Sequence, residues 1–142
     1  MNEAASGAGE AATPNVAVHL TSFGFKYGLP GDAGWVADVR MVRNPFWVPE
    51  LRPHTGLEPA VREYVLGDPV AVDLIERLRA LLVWSAQQYA ERERDALFVA
   101  VGCTGGRHRS VAIAEALAAR LRDAGLEVTV EHRDVDIPDP RW

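Results

Sequence analysis

A turn rich in glycine and basic side chains, at residues 101–111, holds most of the groups in this sequence that can do chemistry. A short apolar run precedes the turn and an alanine-rich stretch with helical spacing follows it, so the sequence predicts a strand, a turn and a helix. The exposed N–H groups of such a turn and the positive end of the helix together favour an anion. The sequence therefore predicts a phosphate-sized anion site here.

The side chains of the turn can strengthen this site. Its glycines let the main chain curl with N–H groups inward, its arginines can form bidentate hydrogen bonds, and its hydroxyls can donate. His108 can donate a hydrogen bond or accept a proton near neutral pH. Three cations beside a helix N-terminus oppose the helix dipole unless an anion is present, which favours a binding site over a plain connection. The candidate ligand-binding residues of the turn are Thr104, Gly105, Gly106, Arg107, His108, Arg109 and Ser110.

The same turn also fits a catalytic alternative, because residues 103–110 follow the C-x-x-G-x-x-R-S pattern of cysteine phosphatases. In that chemistry a thiolate attacks phosphorus and the arginine binds the equatorial oxygens, while the turn and the helix end lower the pKa of the thiol. Against it, Gly102 stands where a histidine usually precedes the cysteine, and no Trp-Pro-Asp-like acid loop is recognisable. The alternative without catalysis is that Cys103 is simply a small buried residue. The residues of the catalytic alternative are Cys103, Arg109 and Asp38, with Asp32 as a second candidate acid.

Composition narrows the class of protein. The chain has 142 residues, 48% hydrophobic and 25% charged, which favours one globular domain. No apolar run approaches the roughly 18–20 residues of a membrane span, and the first residues do not resemble a signal peptide, so we expect a cytoplasmic protein. One cysteine and four scattered histidines predict no disulfide, no metal and no cofactor. A net charge of −5 argues against a general nucleic-acid coat.

Hydrophobic spacing predicts the elements that position the turn. Asp68 followed by Pro69 is a strong helix start, and Gly125 is typical of a helix end. The apolar strand before the turn is typical of a parallel sheet, and the strand–helix–strand order around the turn predicts a right-handed crossover. The fold class is therefore α/β, with a small, mainly parallel sheet of about four strands flanked by about three helices. The predicted strands are 16–21, 35–39, 96–102 and 126–130, and the predicted helices are 57–66, 68–89 and 110–124.

Two loops are expected beside the turn, because ligands of open parallel sheets bind beyond the carboxyl ends of the strands. If the first two strands run parallel to the third, residues 22–26 and 38–40 lie at this end. The segment 43–56 carries three prolines, which exclude a helix or a central strand. Its apolar anchors favour an ordered loop folded over the site.

Several separate segments, in order from about residue 16 to residue 134, resemble the C-terminal domain of the RapZ family of RNase adapters and nucleotide-binding proteins. They are residues 21–28, 38–40, 44–46, 51–56, 102–110 and 132–134. The resemblance implies a fold with some likeness to a phosphofructokinase subdomain and a pocket for a phosphorylated amino sugar, such as glucosamine 6-phosphate. Carried over residue by residue, that pocket adds Lys26, Asp38 and Arg40 to the turn, with the amino group facing Asp38.

The resemblance also implies small-RNA binding and self-association, hence a homodimer. The family's N-terminal P-loop half has no counterpart in this sequence, so nucleotide binding by that route is not expected. The tail at 137–142 lacks the basic cluster that grips RNA, and each lost phosphate contact weakens that expectation. A smaller basic patch of Arg40, Arg43, Arg52 and Arg133 remains for RNA.

We therefore predict a tail at 1–14, a RapZ C-terminal-like domain at 15–134 and a tail at 135–142. The expected function is non-catalytic binding of an amino-sugar phosphate by a sensor or adapter domain without a membrane partner. A cysteine-dependent phosphatase and a small-RNA-binding adapter are the alternatives.

Overall fold

A sheet of four parallel strands forms the centre of the computed structural model, which describes residues 14–138. Three α-helices connect the strands along the chain. Two of the loops contain a short 3₁₀ turn, at Phe25–Tyr27 and at Pro45–Trp47. The strands are β1 (Ala17–Gly24), β2 (Trp35–Asp38), β3 (Ala96–Cys103) and β4 (Glu127–His132), and the helices are α1 (Pro59–Leu66), α2 (Pro69–Glu91) and α3 (Arg109–Asp123).

The strand order across the sheet is β2–β3–β1–β4, and every neighbouring pair is parallel. Gly24 is in register with Cys103, and Asp38 is in register with Gly102. The carboxyl ends of the strands therefore meet at one edge of the sheet, where the glycine-rich turn begins. The predicted α/β class is confirmed, with a sheet that is parallel throughout.

Alternating burial along the strands shows that the helices cover one face of the sheet. Val18 and Leu20 of β1 belong to the same buried core as Leu82 of α2 and Leu117 of α3. Several residues of the opposite face are partly or fully exposed, among them His19, Phe98 and Thr129, whereas Phe23 and Ala100 on that face are buried. No helix within residues 14–138 covers this second face.

Capping groups set the helix boundaries. The Asp68 carboxylate accepts the Val70 N–H at 3.0 Å, so α2 begins where the sequence predicted. Helix α1 begins at Pro59, two residues after the predicted start, because the chain at Glu58 is still extended. Gly125 follows α3 with a φ of 93°, a left-handed conformation that suits glycine at a helix end.

The chain after β4 is packed against β1. Asp134 is 3% exposed and its carboxylate accepts the Gly24 N–H at 2.8 Å, while Val135 is also buried. Of the expected tails at 1–14 and 135–142, residues 1–13 and 139–142 lie outside the described residues. Within residues 14–138, no helix combines the length and apolarity that a bilayer crossing requires.

Candidate anion-binding site

The glycine-rich turn after β3 packs tightly against the end of β1. Gly106 has a φ of 79°. A Cβ on Gly106 would lie 2.6 Å from the Gly24 nitrogen and 2.8 Å from the Phe23 carbonyl carbon, so only glycine fits. Within residues 14–138, the N–H groups of Gly105 and Gly106 find no hydrogen-bond acceptor. The turn thus leaves two backbone donors for a ligand.

The N-terminus of α3, which follows the turn, has no side-chain cap within residues 14–138. His108 occupies the N-cap position without a capping hydrogen bond from its side chain, and the first turn of the helix contains no acidic residue. The first N–H groups of an α-helix have no intrahelical acceptor, and the helix dipole places partial positive charge there. This end of α3 therefore has the polarity of an anion site.

Arg109 is a buried cation at this helix end. Its side chain is 5% exposed, and its Nη1 donates to the Arg40 carbonyl at 2.8 Å and to the Val42 carbonyl at 3.1 Å. Its buried Nε has no hydrogen-bond partner within residues 14–138. Burial lowers the pKa of Arg109, but a guanidinium stays charged in proteins. A buried charged donor without an acceptor is costly, so the site lacks one acceptor.

Asp38 and Arg40 are brought to the turn as a pair. Arg40 Nε donates to Asp38 Oδ1 at 3.0 Å and Arg40 Nη2 donates to Asp38 Oδ2 at 2.9 Å. The Arg40 guanidinium also lies 4.0 Å from the centre of the Phe25 ring. The hydrogen bonds from Arg40 lower the pKa of Asp38, which is therefore a carboxylate at neutral pH.

Lys26 reaches the turn mainly through its main chain. The Lys26 N–H donates to the Thr104 carbonyl at 3.3 Å, which holds the loop after β1 against the turn. The Lys26 ammonium lies 5.4 Å from the centre of the exposed Tyr27 ring. The structure thus places the segment of Lys26 at the site and leaves its side chain on the rim.

Arg107 and His108, two of the predicted ligand residues, direct their side chains to neighbouring segments. Arg107 Nη1 donates to the Val135 carbonyl at 2.6 Å, and its Nη2 donates to the Pro53 carbonyl at 3.3 Å. His108 Nε2 lies 3.0 Å from the Arg52 carbonyl, and burial lowers the pKa of His108. These side chains fasten the proline-rich loop and residues 135–137 to the turn.

The proline-rich loop, residues 43–56, packs against the first turn of α3. The Gly56 N–H donates to the Arg107 carbonyl at 2.8 Å. A Cβ on Gly56 would overlap the His108 carbonyl oxygen and the Ala112 nitrogen, so the approach requires glycine. The loop and the anion site form one packed unit.

The phosphatase alternative lacks a histidine before Cys103 and a protonated acid at Asp38. The Cys103 thiol is 3% exposed and donates to Ser110 Oγ at 3.2 Å. A Cβ on Gly102 would lie 2.5 Å from Phe23 Cζ and 2.6 Å from Phe25 Cε2, so aromatic rings fill the place of the phosphatase histidine.

Neither candidate acid suits that reaction. Asp38 is ionised and paired with Arg40, so it carries no proton to donate. Asp32 borders a small depression on the open face of the sheet, together with Thr21, Phe98 and Ala100. Cys103 and Ser110 therefore fit the plain interpretation, in which they pack beneath the turn.

The sequence reasoning missed two buried polar groups that support the turn. Asp134 accepts the Gly24 N–H and receives two hydrogen bonds from Arg133, at 2.9 and 2.8 Å. His132 lies 2.7 Å from both Ser22 Oγ and Glu115 Oε2, which links β1, β4 and α3. Ser22 is fully buried, so this chain of hydrogen bonds is structural. The only signal for these groups was the segment 132–134 of the family resemblance.

No group of three or more histidine, cysteine, aspartate or glutamate side chains within residues 14–138 is placed to hold a metal ion. The open donors at the turn are backbone N–H groups beside the positive end of α3, which suit an anion.

Comparisons with known proteins agree with this architecture. The family model described as the RapZ C-terminal domain matches residues 16–136. A protein from Trichlorobacter lovleyi is 48% identical over 128 residues, which cover 90% of this chain and 45% of the relative. A protein from Mycobacterium avium is 52% identical over 137 residues, and one from Mycolicibacterium paratuberculosis is 53% identical over 137 residues. Those matches cover 94% of this chain and 45% and 44% of the relatives, respectively.

All three relatives carry the name nucleotide-binding protein, and this chain spans less than half of their length. These names describe binding and no reaction, in agreement with the prediction of a non-enzymatic domain. Because the family model covers the whole packed unit, from the start of β1 to the segment held by Arg107, this chain belongs to the RapZ C-terminal domain family.

Proposed function

We propose that this binding domain recognises a phosphorylated small molecule, whose phosphate lies in the turn at 104–106 and at the N-terminus of α3. The observation that carries the proposal is the buried Nε of Arg109, which lacks an acceptor within residues 14–138. The unpaired N–H groups of Gly105 and Gly106 and the uncapped start of α3 support it. A phosphate in the turn would accept from the Gly105 and Gly106 N–H groups and balance the charge of Arg109.

The ligand class we favour is an amino-sugar phosphate such as glucosamine 6-phosphate. Support comes from Asp38, a carboxylate held at the carboxyl end of β2 beside the turn. An ammonium group can pair with Asp38, although it must share this carboxylate with Arg40. The domain would then act as a sensor or adapter whose state follows the metabolite.

Calorimetric titration of the purified chain tests both the anion site and the assignment of an amino-sugar phosphate. Inorganic phosphate should bind, glucose 6-phosphate should bind at least as well, and glucosamine 6-phosphate should bind more tightly than either. Equal affinities for the two sugar phosphates would remove the amino-sugar assignment alone. Absence of binding for all three compounds would remove the anion site.

A variant with a negative charge on the turn tests where the phosphate binds, and the same charge placed elsewhere is its control. Thr104 is exposed, so Thr104→Glu should leave the fold intact while its carboxylate repels and displaces phosphate. Thr129→Glu adds the same charge on exposed β4 and should bind phosphate like the parent chain. Equal phosphate affinity in both variants would place the anion elsewhere.

The basic patch offers no comparable support for RNA binding. The guanidinium of each of its four arginines already contacts a neighbouring group in the structure. Arg40 pairs with Asp38, Arg43 donates to the Tyr64 carbonyl, Arg52 donates to the Phe46 carbonyl, and Arg133 pairs with Asp134.

A further inference from the structure

Asp134 places a buried carboxylate directly behind the glycine-rich turn. A Cβ on Gly106 would lie 2.9 Å from Asp134 Cβ, and a Cβ on Gly24 would lie 2.9 Å from the Gly106 nitrogen. The Gly24 N–H in turn donates to Asp134 Oδ2 at 2.8 Å. Asp134, the end of β1 and the turn are therefore in direct contact.

The charge of this carboxylate matters for an anion at the turn. Like charges repel more strongly in buried surroundings than in water, because little solvent screens them. Asp134 is 3% exposed, so its negative charge acts on the turn with little screening. Without compensation, Asp134 would oppose an anion bound to the N–H groups of Gly105 and Gly106.

Arg133 supplies the opposite charge at the same place. Its Nε donates to Asp134 Oδ1 at 2.9 Å and its Nη2 donates to Asp134 Oδ2 at 2.8 Å, so the pair is bidentate. The same Nη2 also donates to the Gly28 carbonyl at 2.8 Å, and the guanidinium lies 5.7 Å from the centre of the Phe23 ring. These contacts hold Arg133 in place, and the pair as a whole is neutral.

The carboxylate has a structural task that explains its presence beside the turn. A buried N–H group without an acceptor is costly, and Asp134 is the acceptor of the Gly24 N–H. Arg133 allows this acceptor to be a carboxylate without leaving a net negative charge behind the turn.

We propose that Arg133 is a positioning residue of the phosphate site, which acts by neutralising Asp134. The inference rests on the proposed function, because it concerns the affinity of that site for an anion. Arg133 acts through Asp134 and not by contact with the ligand. Because the effect is electrostatic, neutral substitutions at the two positions change phosphate affinity in opposite directions.

Calorimetric titration with inorganic phosphate compares the parent chain with Arg133→Gln and Asp134→Asn. Arg133→Gln leaves the buried carboxylate without its cation, so phosphate should bind about tenfold more weakly than to the parent chain. Asp134→Asn keeps an acceptor for the Gly24 N–H and leaves the Arg133 cation uncompensated, so phosphate should bind more tightly than to the parent chain. The double variant, which is again neutral, should bind phosphate like the parent chain.

Thermal melts without phosphate test the charge pairing on its own. Removal of one partner of a buried pair costs more stability than replacement of both, because it leaves a charge uncompensated. Arg133→Gln should therefore melt below the parent chain, and the addition of Asp134→Asn should raise the melting temperature of that variant. A double variant that melts below Arg133→Gln would overturn the neutralising role.

The matched control is a second bidentate pair, in which Arg120 donates to Glu76 at 2.6 and 2.9 Å near the other end of α3. Arg120→Gln and Glu76→Gln should both keep the phosphate affinity of the parent chain. Circular dichroism at the temperature of the titration checks that every variant is folded.

The outcomes separate this inference from the proposed function. Weaker phosphate binding in both Arg133→Gln and Asp134→Asn would mean that the pair only maintains the shape of the turn. Equal phosphate affinity in the parent chain and in all variants would also overturn the inference, while the phosphate site would stand. A parent chain that binds no phosphate would remove the proposed function, and this inference with it.

Discussion

Helices α2 and α3 begin in opposite ways. Helix α2 closes its own N-terminus, since the Asp68 carboxylate accepts the Val70 N–H and Pro69 occupies the first helical position. Helix α3 begins after His108 without a side-chain cap or an acidic residue, and its first residue is a buried arginine. One helix end supplies its own negative charge, and the other concentrates positive charge.

This contrast shows how an anion site differs from an ordinary strand–helix connection. A helix end needs an acceptor for its first N–H groups, and most helices take it from an N-cap residue. Within residues 14–138 the start of α3 has no side-chain cap, and the proposed anion would supply the acceptor. The uncapped start of α3 among basic residues therefore supports the proposed site, whereas the Asp68 cap is a folding signal.

The largest expected effect is on phosphate binding in Arg109→Leu. Hydrogen bonds from charged groups contribute about 1.5–3 kcal/mol each, so loss of the guanidinium should weaken phosphate binding by about 10- to 100-fold. The Arg40 and Val42 carbonyls also lose their donor, so the melting temperature should fall. Titration calorimetry and thermal melts measure the two effects. Arg77→Leu, at an exposed pair with Asp73, should change neither substantially, and unchanged phosphate affinity in Arg109→Leu would refute the site.

The next effect is on folding of the turn that opens α3. Gly106→Ala should destabilise the chain by about 2 kcal/mol or more, since a left-handed conformation alone costs roughly 1–2 kcal/mol and the new Cβ overlaps backbone atoms of β1. Gly105→Ala is the control, because its Cβ would meet no atom within 4 Å. Urea titrations of both variants measure the difference. Equal midpoints would mean that the turn is looser than described.

A smaller effect on stability is expected when the N-terminus of α2 loses its cap. Asp68→Ala removes the acceptor of the Val70 and Arg43 N–H groups, so the melting temperature should fall by a few degrees. Phosphate affinity should stay that of the parent chain, because α2 carries no part of the site. A loss of phosphate binding in this variant would show that the two helix ends are coupled.

The smallest expected effect is on the pH dependence of stability, and it arises from His108, the N-cap residue of α3. Burial holds the pKa of His108 below its ordinary value of 6.5, so the unfolded chain binds a proton there at higher pH than the folded chain. This contribution to stability is complete above about pH 6.5 and is lost as the pH falls below that value. His108→Gln should therefore show a weaker decline in melting temperature from neutral to mildly acidic pH. An unchanged decline in His108→Gln would show that this histidine does not carry the pH dependence.

Local signals made the fold predictable from sequence, and they also located the candidate site. Asp68 and Pro69 mark the start of α2, and the glycines and basic residues of the turn mark the candidate anion site without knowledge of distant contacts. The directions of the Arg107 and His108 side chains were not predictable. Their acceptors are the carbonyls of residues 52, 53 and 135, and every residue type has a carbonyl.

Long-range pairing explains the other unpredicted features. Asp134 is buried because it meets the Gly24 N–H, which is 110 residues away in the sequence. Asp38 was predicted as a partner for an amino group, but its pairing with Arg40 became visible only when both side chains were placed on the end of β2. Which acid pairs with which base depends on packing that no local pattern encodes.

The hydrogen bond from Gly56 to the Arg107 carbonyl has a consequence for affinity. Ordering a flexible segment around a ligand costs roughly 1–2 kcal/mol per residue in backbone entropy. Here the proline-rich loop is already held against α3, so that entropy is lost when the chain folds and not when the ligand arrives. The proposed ligand, a small sugar phosphate, would then use nearly all of its few polar contacts for binding.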